Sequence, residues 1–414
     1  MAVTLKGKLL GSLVRACDAV SNVLDALAIC NCFAIREERR LTEQSLPPAI
    51  VLPEDLIVEI LSWLPVKALM RFRCVSKSWN SLVFHPSFVK LHLQRLSLNT
   101  HLLLPFLGGE RWKPLHARAA PCSIPALLEN ALSTLDDCCH YFNYKYDVCG
   151  SCNGLVCLHN YFDGYEFEDH CVQFWNPATR IMSRDSPRLR LRRNSYYKIG
   201  FGFDDLSNTY KVVIVSCDIK SKNWKVSVHC MGDTCWRDVL TCPAICTLGH
   251  PNGQFVGGTV NWLALRSLRS TDPWKTVNID ELVIFSYDMR SETYRYLLMP
   301  DGVLEIPTYV PCLRVLKGCL CLSYDFEETY FSVWIMREFG VEKSWTRLLT
   351  VSYEHFQCYS LMPVWMSDNE DFMLLECDGG FQFVLFDRRA NIVDRSKVFG
   401  NRLMLGSYDY VHSL

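Results

Sequence analysis

FDDLSNTYK, at residues 203–211, and YDMRSETYR, at residues 287–295, share the pattern aromatic-Asp-x4-Thr-Tyr-basic. Phe386-Asp387 and the turn sequence WNPATR, at residues 175–180, are looser copies. An Asp or Asn at the end of a strand can satisfy the N–H groups of the turn that follows, so each copy is interpreted as a turn between two strands. Repeated strand pairs that cannot close a core alone are typical of β-propeller blades. We therefore predict that three aspartates occupy equivalent turns of different blades: Asp204, Asp288 and Asp387.

A second repeated element is a glycine followed by a strand, as in GLVCL at residues 154–158, GTVNWL at 258–263 and GCLCL at 318–322. From about residue 99 onward, short apolar segments of period two alternate with turn residues, which favours an all-β architecture. The length of residues 99–412, at roughly 40–50 residues per blade, allows six or seven blades. The sequence thus predicts a β-propeller-like domain over residues 99–412.

Residues 49–96 instead have helical periodicity. Five apolar side chains fall within an arc of about 140° at 100° per residue: Leu56, Ile57, Ile60, Leu61 and Leu64. Pro65 ends this first helix, a second short helix follows from Val66, a third reaches Leu82, and His85-Pro86 ends the segment. Three short helices are near the lower size limit for a hydrophobic core that is stable alone. We therefore expect a partner protein to cover part of their apolar surface. The expected class is α+β multidomain, with a small three-helix domain before the all-β region.

Residues 1–48 form an N-terminal extension. One stripe of a helix is predicted from the spacing of six apolar residues: Leu10, Leu13, Cys17, Val20, Leu24 and Leu27. The stripe fits a short coiled-coil or partner-docking helix, but an amphipathic helix resting on its own protein, or a loose tail, fits as well. The latter interpretations are favoured because the repeat is short.

Composition excludes several classes of protein. The 414 residues include 43 Lys and Arg against 44 Asp and Glu, which gives a net charge of −1. The molecule as a whole therefore has no electrostatic field that would attract nucleic acid or an anionic membrane. No uncharged apolar run approaches the roughly 18–20 residues that span a bilayer. The 21 cysteines are odd in number and the N-terminus lacks an uninterrupted secretory core, which predicts a reducing, intracellular location in the nucleus, the cytoplasm or both.

Catalytic, cofactor and metal motifs are scarce. There is no phosphate-binding glycine loop, no dinucleotide fingerprint, no G-x-S-x-G and no H-E-x-x-H, so no catalytic residue and no cofactor are predicted. The best metal candidate is a set of thiols and imidazoles: Cys149, Cys152, Cys157, His159, His170 and Cys171. A second Cys or His pair at zinc spacing is missing, and we favour buried structural cysteines and no metal. The same holds for Cys242-x3-Cys246.

The strongest charge feature is a basic run from Arg180 to Lys198, which contains one acid, Asp185. The run could bind phosphate, an acidic degron or nucleic acid, but such runs are usually solvated loops. No aromatic platform for single strands accompanies it, and we predict no nucleic-acid partner.

LPEDLIVEILSWLP at residues 52–65, with RFRCVSKSW at 71–79 and HPSF at 85–88, resembles an F-box over the whole motif. The region after it resembles the F-box-associated interaction region of a large plant family, often described as kelch-related. That second resemblance is carried by residues 150–157, 175–180, 200–204, 210–213, 333–340 and 344–346.

The resemblance implies a substrate-recognition subunit of an SCF-type (Skp–cullin–F-box) ubiquitin ligase. The F-box would dock the Skp adaptor, and through it cullin and RING subunits, while the β-region would hold an unknown protein target. Such a subunit is not itself an enzyme. The apolar residues assigned to the adaptor contact are Leu52, Pro53, Leu56, Ile60, Leu61, Leu64, Pro65, Leu69, Val75, Trp79 and Leu82. Some of them must form the internal core instead, and the sequence does not separate the two groups.

Two alternatives stay open. One is an F-box interaction scaffold that works outside a ligase. The other is a propeller enzyme, such as a glycosidase or lyase, which would need carboxylates or histidines converging on a central channel.

Overall fold

In the computed structural model the helices belong to one compact unit and the sheets to another. The described residues are 53–96, 101–108, 116–124, 127, 140–142, 146–218, 224–241, 248–249, 252–266, 278–303, 307, 309–326, 329–356, 358, 360–377, 382–395, 403–404 and 406–411. Three of the predictions lie outside them: the helical stripe in residues 1–48, the contact residue Leu52 and the pair Cys242 and Cys246.

The described residues of the helical unit form four helices: α1 (Glu54–Leu61), α2 (Val66–Phe72), α3 (Lys77–Val83) and α4 (Pro86–Leu96). Pro53 and Pro65 directly precede α1 and α2, and Ser76 caps α3 by accepting a hydrogen bond from the Trp79 N–H at 3.1 Å. The three predicted helices are present, but the prediction that His85-Pro86 ends the helical segment was wrong. Pro86 instead begins α4, because the fixed φ and missing N–H of proline suit the first position of a helix.

Six side chains form the buried core of the helical unit: Leu61, Leu64, Leu69, Phe72, Val83 and Phe88. Helix α4 supplies Phe88 and also His92, whose Nε2 lies 2.9 Å from the carbonyl oxygen of Leu64. Arg95 of the same helix donates hydrogen bonds to the Glu59 carbonyl oxygen at 3.1 Å and to the Glu59 carboxylate at 2.7 Å. The fourth helix therefore contributes to the core and ties the first helix in place.

The strands of the second unit are β1 (His101–Gly108), β2 (His116–Ser123), β3 (His140–Phe142), β4 (Asp147–Cys152), β5 (Leu155–Asp163), β6 (Phe167–Asn176), β7 (Ile181–Met182), β8 (Leu189–Arg192), β9 (Tyr196–Asp204), β10 (Thr209–Cys217), β11 (Trp224–Cys230), β12 (Arg237–Thr241), β13 (Gln254–Val256), β14 (Thr259–Leu265), β15 (Leu282–Asp288), β16 (Tyr294–Leu298), β17 (Cys312–Leu316), β18 (Cys319–Phe326), β19 (Tyr330–Met336), β20 (Trp345–Ser352), β21 (Leu361–Met366), β22 (Phe372–Cys377), β23 (Gln382–Asp387), β24 (Ile392–Arg395), β25 (Leu403–Met404) and β26 (Tyr408–Tyr410).

These strands form six antiparallel sheets, which are the blades of a β-propeller. Blade 1 joins β1–β3 to β25 and β26 from the other end of the chain, with Leu102 opposite Asp409. Blade 2 is β4–β8, blade 3 β9–β12, blade 4 β13–β16, blade 5 β17–β20 and blade 6 β21–β24. An apolar cluster lies between each pair of neighbouring blades, so the ring is closed by packing as well as by strand pairing. Of the predicted six or seven blades, the structure has six.

The three repeated glycines occupy equivalent turns. Gly154, Gly258 and Gly318 each end a two-residue turn between the first and second strands of blades 2, 4 and 5. Their φ angles are 80°, 79° and 72°, and the residue before each glycine also has a positive φ. Two successive left-handed residues make the hairpin turn whose twist matches the strands.

The three repeated aspartates share a turn geometry but not a place in the blade. The carboxylates of Asp204, Asp288 and Asp387 each accept hydrogen bonds from the backbone N–H groups two and three residues later. Asp288 and Asp387 lie between the third and fourth strands of blades 4 and 6, whereas Asp204 lies between the first and second strands of blade 3. The predicted equivalence was therefore wrong for Asp204, because this turn fits any hairpin of that length.

Candidate functional site

The helical unit exposes large apolar side chains beside its small core. Leu56 is 49% exposed, Trp63 52% and Phe84 44%. Pro53 and Pro65, at the starts of α1 and α2, are exposed as well. Exposure of apolar side chains to water is unfavourable in free energy, so their burial by another protein would be favourable.

The structure places ten of the eleven residues assigned to the adaptor contact, and Leu52 lies outside the described residues. Pro53, Leu56 and Pro65 are exposed, and four others are half-buried: Ile60, Val75, Trp79 and Leu82. Leu61, Leu64 and Leu69 are at most 2% exposed, so these three are the members of the set that form the internal core. Trp63 and Phe84 are also exposed, but they were not among the residues assigned from the sequence. The available signal was that both are large apolar residues outside the helical stripes used to define the core.

Trp63 is held in place by its neighbours. Its Nε1 donates a hydrogen bond to a Glu59 carboxylate oxygen at 3.3 Å, and the Arg95 guanidinium lies 4.7 Å from the ring centroid. Hydrogen bonds from Arg95 and from Trp63 lower the pKa of Glu59. A side chain ordered before binding loses less conformational entropy when a partner covers it.

A second polar cluster lies in the channel of the propeller. A cavity of about 100 Å³ is lined there by Arg314, Ser407 and Asp409, among other residues. Arg314 Nη2 donates to Ser407 Oγ at 3.0 Å, and Ser407 Oγ donates to Glu376 Oε2 at 2.6 Å. These bonds connect blades 5 and 6 to the segment that enters β26, and so they support the closure of the ring.

The channel carboxyls have raised pKa values. Desolvation raises the pKa of Asp409 to about 6, although the Arg314 charge opposes the change, and burial raises the pKa of Glu376. A carboxyl that titrates near pH 6 could act in acid–base catalysis. However, Glu376 is 3% exposed and engaged by Ser407, and the cavity is smaller than the roughly 300–1,000 Å³ of typical ligand sites. The hydrogen bonds of Glu376 and Arg314 to Ser407 fit a structural role in closing the ring.

The cysteine and histidine cluster of blade 2 is closely packed. The Cys149 thiol donates to the Cys157 carbonyl at 3.2 Å, and burial raises the pKa of Cys152 to about 12. His159 Nε2 and His170 Nδ1 are 3.0 Å apart, and desolvation lowers their pKa values to about 3 and about 4. Within the described ranges, no group of three or more His, Cys, Asp or Glu side chains is placed to hold a metal ion. Buried neutral groups of this kind contribute packing.

The basic run from Arg180 to Lys198 is partly regular structure rather than a continuous solvated loop. Its middle forms β8, which pairs with β6. Lys198 is 6% exposed and donates to the carbonyl oxygens of Leu248 at 2.9 Å and Gly249 at 2.8 Å. The exposed cations of the run are five arginines: Arg180, Arg184, Arg188, Arg190 and Arg193.

Two family models match the chain. An F-box domain matches residues 51–91, and an F-box associated beta propeller domain matches residues 126–406. An F-box/kelch-repeat protein of Arabidopsis thaliana is 29% identical over 336 residues, which cover 77% of this chain and 83% of the relative. The F-box protein CPR1 of Arabidopsis thaliana is 26% identical over 365 residues, covering 81% of this chain and 82% of the relative.

Similarity to solved structures is weaker. A structure of a nidogen/laminin complex gives a TM-score of 0.39 at 14% identity, covering 76% of this chain and 100% of that chain. A putative 6-phosphogluconolactonase from Bacteroides uniformis gives 0.40 at 8% identity, covering 75% and 99%. These scores support no conclusion about function. Among the residues that the structure describes, no helix is long and apolar enough to cross a membrane.

Proposed function

The chain belongs to the plant F-box proteins that carry an F-box-associated β-propeller domain, and from this premise we propose that it is the substrate-recognition subunit of an SCF-type ubiquitin ligase. In this proposal the helical unit binds a Skp-type adaptor, which brings the cullin and RING subunits. The propeller binds a protein target. Ubiquitin transfer is carried out by the other subunits, so the chain is a non-catalytic part of the enzyme.

One observation supports this proposal above the others: the helical unit exposes Leu56, Trp63 and Phe84 beside a core of six buried side chains. Tryptophan and other large apolar residues at the centre of an interface commonly supply most of its binding free energy. The exposed Pro53 and Pro65 extend the same apolar character to the starts of two helices. A protein adaptor of complementary shape is the partner that fits such a surface.

The test is the affinity of the full chain for a Skp-type adaptor, measured by calorimetry. Full burial of a leucine side chain is worth roughly 1.5–3 kcal/mol, and each tenfold in affinity corresponds to about 1.4 kcal/mol. Because Leu56 and Trp63 are each about half exposed, we expect the double variant Leu56→Ala/Trp63→Ala to bind roughly tenfold or more weakly. Leu206→Ala, at a residue 79% exposed on the propeller, is the matched control and should leave the affinity unchanged.

An unchanged affinity in the folded double variant would exclude this surface as the adaptor contact. A second measurement separates a ligase subunit from a scaffold that acts outside a ligase. The wild-type chain and adaptor should co-elute with a cullin–RING pair, and the double variant should not. Co-elution of the adaptor without cullin would favour the scaffold.

We also propose that the protein acts inside the cell, in the nucleus, the cytoplasm or both. Buried thiols such as Cys152 and Cys157, which lie outside any disulfide, support a reducing compartment. Imaging of a fluorescent fusion tests this proposal, and a secreted fusion would contradict it.

A further inference from the structure

The last turn of α4 lies against the exposed tryptophan of the helical unit. Arg95, in this turn, has its guanidinium over the Trp63 ring, 4.7 Å from the ring centroid. The Arg95 side chain is only 18% exposed, although arginine side chains usually lie in solvent. The F-box domain matches residues 51–91, and Arg95 lies beyond that range. A residue outside the F-box match therefore contacts the surface that we assign to the adaptor.

A single carboxylate joins Arg95 to Trp63. Glu59 Oε2 accepts a hydrogen bond from Arg95 Nη2 at 2.7 Å, and Glu59 Oε1 accepts one from Trp63 Nε1 at 3.3 Å. The Glu59 side chain is 54% exposed, so it does not owe its position to burial. The hydrogen bond from Arg95 is the main cause that lowers the pKa of Glu59, and the carboxylate therefore stays ionised at neutral pH.

Arg95 is itself fixed to the end of α1. Its Nη1 donates to the Glu59 carbonyl oxygen at 3.1 Å and also donates to Ser62 Oγ. Ser62 is fully buried, and its Oγ donates to the same carbonyl oxygen at 2.7 Å. The last carbonyl groups of a helix have no donor within the helix, so these bonds satisfy one of them. Because main chain and a buried serine hold Arg95, its guanidinium plane is a rigid neighbour for the Trp63 ring.

We propose that Arg95 is a positioning residue of the adaptor contact, which holds Trp63 in one orientation, directly and through Glu59, before the adaptor binds. The inference rests on the proposed function and extends its contact to a residue beyond the F-box match. A side chain that is fixed before binding does not have to be ordered at the interface, which saves part of the entropy cost of association. Lysine cannot replace Arg95, because an ammonium lacks the planar fork that bonds the Glu59 carbonyl and carboxylate together.

A direct charge contact between Arg95 and the adaptor is the alternative. The Arg95 side chain is largely buried, and it donates three hydrogen bonds within the helical unit. The Glu59 carboxylate also forms an ion pair with it and balances its charge. The part of this assembly that is open to a partner is the tryptophan, since Trp63 is 52% exposed. These observations favour a role of Arg95 that acts through Trp63.

The test is a double-mutant cycle on the full chain, with the affinity for a Skp-type adaptor measured by calorimetry. Arg95→Gln should weaken binding about threefold to tenfold, because the Trp63 side chain must then be ordered on binding. In a Trp63→Ala background the same substitution should weaken binding less than about 1.5-fold, because the side chain that Arg95 positions is absent. Arg95→Lys should weaken binding as Arg95→Gln does. Lys90→Gln, at an exposed cation of the same helix, is the matched control and should leave the affinity unchanged.

A second variant tests the same link without touching the end of α1. Glu59→Gln keeps the main-chain carbonyl that Arg95 and Ser62 bond, and it neutralises only the carboxylate. We expect Glu59→Gln to weaken adaptor binding about twofold or more in the wild-type background and to have little effect in the Trp63→Ala background. Helical circular dichroism at the assay temperature shows which variants are folded.

An equal effect of Arg95→Gln with and without Trp63 would overturn the proposal and indicate a direct contact of Arg95 with the adaptor. Full affinity in Arg95→Lys or in folded Arg95→Gln would also overturn it, as would full affinity in Glu59→Gln if Arg95→Gln does not fold. Equal weakening by Lys90→Gln would do the same. Absence of adaptor binding by the wild type would contradict the proposed ligase role itself, whereas binding that depends on Trp63 but not on Arg95 would contradict this inference alone.

Discussion

The helical unit and the propeller bury apolar side chains in opposite ways. Six core residues support the four helices, and Leu56, Trp63 and Phe84 beside that core are about half exposed. In the propeller, every blade packs on two neighbours through an apolar cluster, and the last strands pair with the first. The small unit is left with an apolar surface that a partner can cover, whereas the ring completes its own core.

This difference indicates where each region can bind. In the helical unit the adaptor contact we propose is the surface that folding leaves apolar. In the propeller the apolar cores lie between the blades, so a partner of the propeller would contact the surface of the blades. Four substitutions or conditions test how far the two regions differ in stability.

The largest effect is expected from Leu64→Ala in the helical unit. Removing a buried leucine side chain costs roughly 3–5 kcal/mol, which is comparable to the whole stability of so small a core. Helical circular dichroism should therefore be lost while the thermal unfolding of the propeller is unchanged. Leu56→Ala, at a half-exposed residue of the same unit, is the control and should retain the helical signal. A helical signal that is retained in Leu64→Ala would show that the helical unit is more stable than its small core suggests.

The next effect is expected in the ring, at Lys211. This side chain is 6% exposed, and its Nζ lies 2.9 Å from the Asp204 carboxylate, 3.1 Å from that of Glu292 and 2.7 Å from the Met289 carbonyl. Removing one member of a buried ion pair costs about 3 kcal/mol or more, so Lys211→Met should lower the urea midpoint of a ring that still folds. Lys225→Met breaks an exposed pair with Asp238 and should shift the midpoint little. Equal shifts of the urea midpoint in the two variants would refute the distinction between the buried and the exposed ion pair.

A smaller effect is expected from pH, because both regions bury histidines. Desolvation lowers the pKa of His92 in the helical core, of His159 to about 3 and of His170 to about 4. The unfolded chain takes up protons near pH 6.5 and the folded chain does so only at lower pH, so stability falls as the pH drops below about 6.5. At pH 5 each of these two histidines of blade 2 costs at most about 2 kcal/mol.

The pH experiment compares wild type with His159→Gln/His170→Gln by thermal unfolding at pH 7.5 and pH 5. The titratable groups around the pair include Tyr161, Tyr197, Glu168 and Asp169. Asp409 acts with the opposite sign, since its raised pKa of about 6 adds stability as the pH falls, and so the difference between variant and wild type is the informative quantity. If the unfolding temperatures of wild type and variant changed equally with pH, the loss of stability in acid could not be assigned to His159 and His170. The helical unit should unfold first on acidification because its free energy of unfolding is smaller than that of the propeller.

The smallest effect is expected from Gly258→Ala, in the turn between β13 and β14. A Cβ there meets no atom within 4 Å, but the φ of +79° is unfavourable for alanine, at a cost of about 1 kcal/mol. Gly258→Asn should cost less, because asparagine tolerates this conformation. Unfolding midpoints of the two variants measure the difference, and equal values would argue against backbone strain as the cause.

Turns and periodicity were predictable because they depend on neighbours in sequence. The Gly154, Gly258 and Gly318 turns follow from a residue that tolerates positive φ, and the Asp204 turn follows from a carboxylate that accepts nearby N–H groups. The blade position of Asp204 was not predictable, since the same local turn fits different hairpins. Helix α4 was missed because Pro86 has the same sequence signature at the start of a helix as at a break.

The sequence by itself determined the two regions, the repeated strands and the F-box resemblance, because spacing of apolar residues and turn residues is a property of the chain. Tertiary structure alone decided which apolar residues are core and which are surface. Leu56 and Leu64 share one helical stripe in sequence, yet Leu64 is buried and Leu56 half exposed, since burial depends on what packs against each side chain. Tertiary structure also placed Phe167, Arg190 and Trp224 around one cavity, because residues from different blades become neighbours only when the blades pack together.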